Sequence, residues 1–199
     1  MIITRPPILD ALEKAGHRVF ENGDYNLNII GIRRTKNPTV DKFDDIICCV
    51  YKVNGYWHFQ SWQATTDPGI RYLGKKKMGN KKGTAILQPG QYSGCWTLDY
   101  HRGKYLALCQ RGGDVNVWRD YNKDGELNYE GKTFTGRFGI NIHRSRGHGE
   151  LAENVGPHSA GCQVFRRAED LDALLWLCKK QIATHPHWKK TFTYTLIEE

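Results

Sequence analysis

The sequence predicts an α+β fold: a single β-rich domain with a short helix near the N-terminus and one longer helix near the C-terminus. Three observations predict it. Short runs rich in β-branched and aromatic residues, punctuated by Gly, Asn, Asp or Pro, recur through most of the chain. One late stretch, Leu171, Leu174, Leu175, Cys178 and Ile182, switches to helical spacing. No repeat, low-complexity tract or linker divides the 199 residues, a length that suffices for one domain with a real core and is marginal for two. The expected unit is therefore residues 1–199.

The elements follow in order. Ile8, Leu9, Leu12 and Ala15 have the spacing of a short amphipathic helix, with Gly16 as its stop. Strands are expected at Asn26–Arg33, Ile46–Val53, Tyr56–Trp62, Thr84–Leu87, Tyr105–Cys109, Val115–Trp118 and Phe138–His143. Asn54-Gly55, between two of these runs, is a two-residue hairpin signal. Thr65-Thr66-Asp67-Pro68-Gly69 reads as a turn. The longer helix carries Glu169 and Asp170 near its start and Lys179 and Lys180 near its end, as the helix dipole favours. Pro186 lies beyond it, and Thr191–Ile197 reads as a closing strand.

A formal charge of +8 predicts a basic surface suited to anionic partners such as an acidic wall polymer, lipid headgroups or nucleic acid. No apolar run of about 18 residues marks a transmembrane helix. Met1-Ile2-Ile3-Thr4-Arg5-Pro6-Pro7 lacks the basic-then-apolar pattern of a signal peptide, so the chain is expected to be made in a cytoplasm. The six cysteines, at positions 48, 49, 95, 109, 162 and 178, include no CxxC pair and have no metal-ligand spacing with histidine. They are expected as free thiols, all but Cys162 being small core residues.

Cys162 stands apart because it follows Ser159-Ala160-Gly161 and has His143 upstream in Gly139-Ile140-Asn141-Ile142-His143. Strand alternation puts Phe138, Ile140 and Ile142 on one face and Gly139, Asn141 and His143 on the other, so His143 ends a strand on its polar side. A histidine placed there suits a base, and a thiol beside a protonated imidazole has a lowered pKa and attacks as thiolate. Gly161 permits a tight turn, and N–H groups near Gly161 and Cys162 are expected to hold an oxyanion. Residues 144–158, polar and glycine-containing, form a long connection between the two.

These strings resemble the catalytic signature of L,D-transpeptidase (YkuD-type) domains, in which a His precedes a Ser/Thr-His-Gly-Cys segment. The resemblance spans about residues 139–165. It implies an L,D-transpeptidase-like sheet or barrel and an acyl-cysteine chemistry on peptidoglycan stem peptides that needs no cofactor. It puts Cys162 at the nucleophile, His143 at the base, Gly161 at the glycine before the nucleophile and Ser159 at the Ser/Thr. In that family a backbone carbonyl just after the histidine orients it, here that of Arg144. Ala160 departs from the family's His, and Gln163-Val164 from its apolar-Arg pair. Arg111-Gly112-Gly113 and Val117-Trp118-Arg119-Asp120 add a likeness to phage and prophage proteins with this cysteine motif.

Asp120-Tyr121-Asn122-Lys123-Asp124-Gly125 matches the first half of a calcium loop, in which oxygen donors at alternate positions converge on a hard cation. Its second half departs from an EF-hand, since Gly131 takes the twelfth position. A structural Ca2+ site would be completed by the carbonyl of Glu126 or by Glu130; the competing reading is a plain hairpin turn at Asp124-Gly125. Lys75-Lys76-Lys77 and Lys81-Lys82 make a basic patch, read as a solvated loop or as an attraction for anionic wall polymers or lipid headgroups. Nucleic acid is disfavoured, because no recognition helix or stacking platform accompanies the patch. Trp96, with Tyr92 and Tyr100, reads either as core or as the wall of a groove for a glycan or peptide.

The expected function is a phage-type, endolysin-like cysteine peptidase of peptidoglycan, made without a leader and acting at the bacterial wall or from the virion. The alternatives are an L,D-transpeptidase proper, or a non-catalytic wall-binding protein on the same scaffold.

Overall fold

Eight strands close into a barrel in the computed structural model, which describes residues 4–74 and 82–199. The barrel strands are β1 (Asn28–Arg33), β2 (Asp45–Val53), β3 (Tyr56–Thr65), β5 (Gly90–His101), β6 (Tyr105–Gln110), β9 (Ile142–Arg144), β10 (Gln163–Phe165) and β11 (Thr191–Glu198). Their order around the barrel is β1-β11-β5-β6-β9-β10-β3-β2. A second sheet of three strands is built from β4 (Thr84–Leu87), β7 (Val115–Asp120) and β8 (Phe134–Gly136), with β7 in the middle. The helices are α1 (Pro7–Lys14), α2 (Ile70–Leu73) and α3 (Ala168–Thr184). Among the described residues, no helix is long and apolar enough to cross a membrane.

Local chemistry explains the main joints. Asn54 and Gly55 both have positive φ, 51° and 80°, as a two-residue turn requires, and Val53 pairs with Tyr56 across it. Alternation along β2 then sends Ile47, Cys49 and Tyr51 into the main core, while Cys48 and Val50 meet α1 through Leu9 and Leu12 on the other face. The main core continues through Ala85, Leu87, Val115 and Val117 of the second sheet, and through Leu171, Leu174, Leu175 and Cys178 of α3. Burial of each such leucine contributes about 1.5–3 kcal/mol, and this apolar stripe is what docks α3.

One charged group lies deep in this apolar setting. Arg33, at the end of β1, is fully buried. Its Nε donates to Thr66 Oγ1 at 3.0 Å, Nη2 to the Thr66 carbonyl at 3.0 Å and Nη1 to the Leu87 carbonyl at 2.8 Å. Asp67 Oδ1 lies 3.0 Å from Nε, and Asp67 Oδ2 accepts from Tyr129 Oη at 2.7 Å. The Tyr129 ring stacks under the guanidinium, 5.0 Å from its carbon. Asp45 completes the cluster, accepting from Thr66 N at 2.6 Å, Thr66 Oγ1 at 2.9 Å and Arg34 N at 2.8 Å. The Thr66 hydroxyl therefore accepts from the cation and donates to the anion. Burial, aided by Asp67, pushes the Asp45 carboxyl up to about 7, against its hydrogen bonds.

Several expectations change. Phe138–His143 is not one strand: β9 covers only Ile142–Arg144, because Phe138 and Ile140 spend their N–H groups on the Gln110 side chain, whose Oε1 accepts both. The longest strand, β5, has no counterpart in the sequence reading, nor do β8 and β10. Trp96 is core, wholly buried with its indole N–H on the Ile140 carbonyl at 2.7 Å, so it lines no groove.

Replacing Arg33 by Met should lower the unfolding free energy by about 3–5 kcal/mol, because Asp67 and Asp45 keep their burial and lose their cation. Urea denaturation read by tryptophan fluorescence measures it; a change under about 1 kcal/mol contradicts this role for the cluster.

Candidate active site

Parallel pairing of β9 with β10 brings the two ends of the long connection together. Gln163 pairs with Ile142 and Val164 with His143. Phe165 and Ile142 belong to the main core, and Gln163 Oε1 accepts from Tyr194 Oη at 2.9 Å inside the barrel. Alternation then turns Cys162 and Val164 outward, and on the neighbouring strand Asn141 and His143. Cys162 and His143 thus share one face of adjacent strands, offset by two residues. Cys162 and Val164 rest on Phe43, Ala152 and Val155.

The turn before Cys162 is tied on every side. Ser159 is fully buried; its hydroxyl donates to the Cys162 carbonyl at 2.8 Å and accepts from Gly161 N at 3.2 Å. Its own carbonyl accepts from Gly69 N at 2.9 Å. Gly161 has φ +109°, and a Cβ there would stand 2.1 Å from the Ala85 carbonyl oxygen, so strand β4 admits only glycine. Gln163 Nε2 donates to the Thr66 carbonyl at 3.2 Å, which joins this segment to the Arg33 cluster. One expectation is corrected here. The Gly161 N–H is taken by Ser159, so it does not stand free for an oxyanion.

His143 is 4 % exposed. Its Nδ1 stands 2.8 Å from the Arg144 carbonyl, which fixes the proton on Nδ1 and leaves Nε2 as the basic nitrogen. Tyr105 Oη donates to the same carbonyl at 3.2 Å and lies 3.2 Å from Nδ1. His101, absent from the sequence reading, stacks on His143 with ring centroids 4.1 Å apart. Asn141 orders this second ring: its Nδ2 donates to His101 Nδ1 at 3.1 Å while its Oδ1 accepts from Gln110 N at 3.0 Å. Asn141 was legible, since alternation put it on the histidine's face. His101 and Tyr105 come from the β5–β6 hairpin, and nothing in their local sequence marks them.

The electrostatics differ from a thiolate–imidazolium pair. Burial, then the neighbouring His101, pushes His143 down to about 3, so the ring is neutral near pH 7. Burial likewise pushes the Cys162 thiol up to about 11, against a backbone hydrogen bond from Asn141 and the charge of Arg102. The thiol donates to the Gly139 carbonyl at 3.5 Å and makes no hydrogen bond to His143. The resting state is a neutral thiol beside a neutral imidazole, and the lowered thiol pKa expected from the sequence is not found. Of the six cysteines, the other five are buried and Cys162 alone is partly exposed.

The acidic loop is arranged by its own hydrogen bonds. Asp120 is buried and its Oδ1 accepts from Lys123 N at 3.1 Å, while Oδ2 has no partner. Asn122 Nδ2 donates to Asp124 Oδ2 at 2.8 Å, and Asp124 Oδ1 accepts from Glu126 N at 2.9 Å. Glu126 and Glu130 are exposed. Among the described residues, no group of three or more His, Cys, Asp or Glu side chains could hold a metal ion. The lysines at 75–77 and 81 lie outside the described residues.

Comparison with protein-family models, curated proteins and solved structures finds no match to this chain. The site's own geometry yields two tests. Gly161→Ala should destabilise the fold by about 1–3 kcal/mol through strain and the clash with Ala85, whereas Ala160→Gly, at an exposed neighbour, should cost under about 1 kcal/mol. Thermal melts compare them. The second test concerns pH. His143 contributes stability that is present above about pH 6.5, its unfolded value, and is lost as pH falls towards about 3. Asp45 acts in the opposite sense: its contribution is present below about pH 4 and is lost as pH rises to about 7. The two slopes oppose, so the difference between wild type and His143→Gln isolates the histidine. That difference should rise with pH between about 4 and 6, by at most about 1.4 kcal/mol per pH unit. A flat difference contradicts a neutral, buried His143.

Proposed function

We propose that this protein is a phage-type cysteine enzyme that attacks amide bonds of bacterial peptidoglycan stem peptides through an acyl-Cys162 intermediate. The observation that carries the reading is Cys162, the single partly exposed cysteine, on the same face as a histidine whose Nδ1 is held by the next residue's carbonyl. The motif's resemblance to L,D-transpeptidase domains supports the substrate class, and the charge of +8 supports attraction to an anionic wall.

The steps follow from the neutral resting state. As the sulfur bonds to the amide carbonyl carbon, His143 Nε2 takes the thiol proton, so the thiolate need not accumulate beforehand. The Cys162 N–H would donate to the developing oxyanion. Collapse of the tetrahedral species breaks the C–N bond, and the leaving amine takes the proton from His143. Water or a second amine then attacks the thioester, His143 again taking the proton, and the thiol is restored. Water gives hydrolysis and an amine gives cross-linking or exchange.

A second reading, a wall-binding protein without activity, draws on the thiol's bond to Gly139 rather than to His143. Purified muropeptides incubated with wild type and with Cys162→Ala, read by mass spectrometry, separate the two. The enzyme reading predicts loss of a terminal residue, a cut cross-link or an exchanged residue with wild type, reduced at least about 10³-fold in the variant. Unchanged muropeptides, or equal products from both proteins, contradict it; unchanged muropeptides with co-sedimentation on sacculi favour the second reading.

A further inference from the structure

Strands β7 and β8 are antiparallel neighbours, yet the chain between them runs through residues 121–133. A tight turn would join such a pair, so Asp124-Gly125 is not a plain hairpin turn. The loop is docked at several points. Gly125 N donates to the Leu73 carbonyl at 3.2 Å, Asp124 bridges to Gly74, and Tyr129 Oη donates to Asp67 Oδ2 at 2.7 Å in the Arg33 cluster.

Asp120 opens the loop and is fully buried. Lys123 N holds its Oδ1 at 3.1 Å, which turns the carboxylate into the loop, while Oδ2 is buried without a hydrogen-bond partner among the described residues. A buried carboxylate oxygen left without a donor is costly, and a hard cation would answer it. None of Asp120, Asp124, Glu126 and Glu130 forms an ion pair among the described residues.

The neighbouring donors are oxygen-bearing and close together. Asn122 Nδ2 stands 2.8 Å from Asp124 Oδ2 and 3.5 Å from Asn128 Oδ1, and Asn128 Nδ2 donates to the Glu126 carbonyl at 3.3 Å. Half a turn of either amide puts its oxygen where its nitrogen stands. The oxygens would then face one another, an arrangement that a cation stabilises. Gly125, with φ +95°, makes the sharp bend that such a loop requires. Carboxylates, amides and a carbonyl, with no thiol or imidazole, suit a hard ion, and Mg2+ demands a smaller and stricter octahedron than Ca2+.

We propose that residues 120–128 form a calcium site, with Asp120, Asn122, Asp124, the Glu126 carbonyl and Asn128 as ligands and water completing the shell. The ion would close the loop that carries Tyr129 onto Asp67, so its binding adds stability to the cluster that braces the Cys162 turn. The assignment does not depend on chemistry at Cys162.

The test is calorimetric titration of the chelator-treated full chain with CaCl2 and with MgCl2, joined to thermal melts. The expected result is one Ca2+ per chain with a Kd below about 1 mM, and Mg2+ at least about tenfold weaker. The melting temperature should rise by about 3 °C or more at a Ca2+ concentration about tenfold above Kd. Asp124→Asn is the deciding variant, because the residue is exposed and the change keeps an acceptor for Glu126 N. It should melt like wild type in chelator and bind Ca2+ at least about tenfold more weakly. Glu153→Gln, at an exposed carboxylate elsewhere, should bind as wild type does. No heat and no melting shift at about 10 mM CaCl2, or unchanged binding in Asp124→Asn, overturn the site. Equal affinity for Mg2+ overturns calcium as its ion.

Discussion

A single buried cation organises this protein. Arg33 sits where β1 ends, fully buried, so the surrounding chain has to supply its acceptors and counter-charge. It draws them from strand β4 through Leu87, from the turn after β3 through Thr66 and Asp67, and from Tyr129. Those segments have little else in common in sequence. The constraint reaches the candidate site by short steps. The Thr66 carbonyl that accepts from Arg33 also accepts from Gln163, the residue after Cys162. Gly69, just beyond Asp67, holds the Ser159 carbonyl. The turn that presents the thiol is thus braced by the barrel's most buried ion pair, and strand β4 closes in so tightly that Gly161 has no room for a side chain.

The site's second theme is neutrality. Two stacked imidazoles, both disfavoured as cations by burial and His143 further by His101, lie beside a thiol that burial keeps protonated. In the proposed mechanism such a pair would react by proton transfer during attack rather than from a standing ion pair. The Arg144 carbonyl on Nδ1 and the Asn141 amide on His101 settle which nitrogens carry protons, which leaves Nε2 of His143 to accept one. Substrate that excludes water and reorients the thiol away from Gly139 would complete the arrangement.

Much of this was legible in the sequence, and the rest was hidden for identifiable reasons. The α3 stripe, the Asn54-Gly55 hairpin and the alternation around His143 are local patterns, and they reappear in the structure with shifted boundaries. The five buried cysteines and the exceptional Cys162 were equally readable. Strand β5 was not, because Gly94 and its polar residues break the β signal, and its pairing with β11 and β6 comes from tertiary contacts. His101 and Tyr105 travel with that strand and its hairpin, so they were missed with it. The thiol's raised pKa was also out of reach, since desolvation depends on what packs around Phe43, Val155 and Val164 rather than on the motif itself. Arg33 looks in sequence like any other residue of a basic chain; only barrel closure makes it central.

The proposed function requires that His143 activate a thiol which is neutral at rest. It is tested most directly by the rate at which iodoacetamide alkylates Cys162 in the native protein, followed by peptide mass mapping against pH. The account predicts that Cys162 is modified ahead of the other five cysteines, that its rate is still rising above about pH 9 as expected for a thiol pKa of about 11, and that His143→Ala slows it near pH 7. A rate that levels off below about pH 7, or one unchanged by His143→Ala, would contradict it.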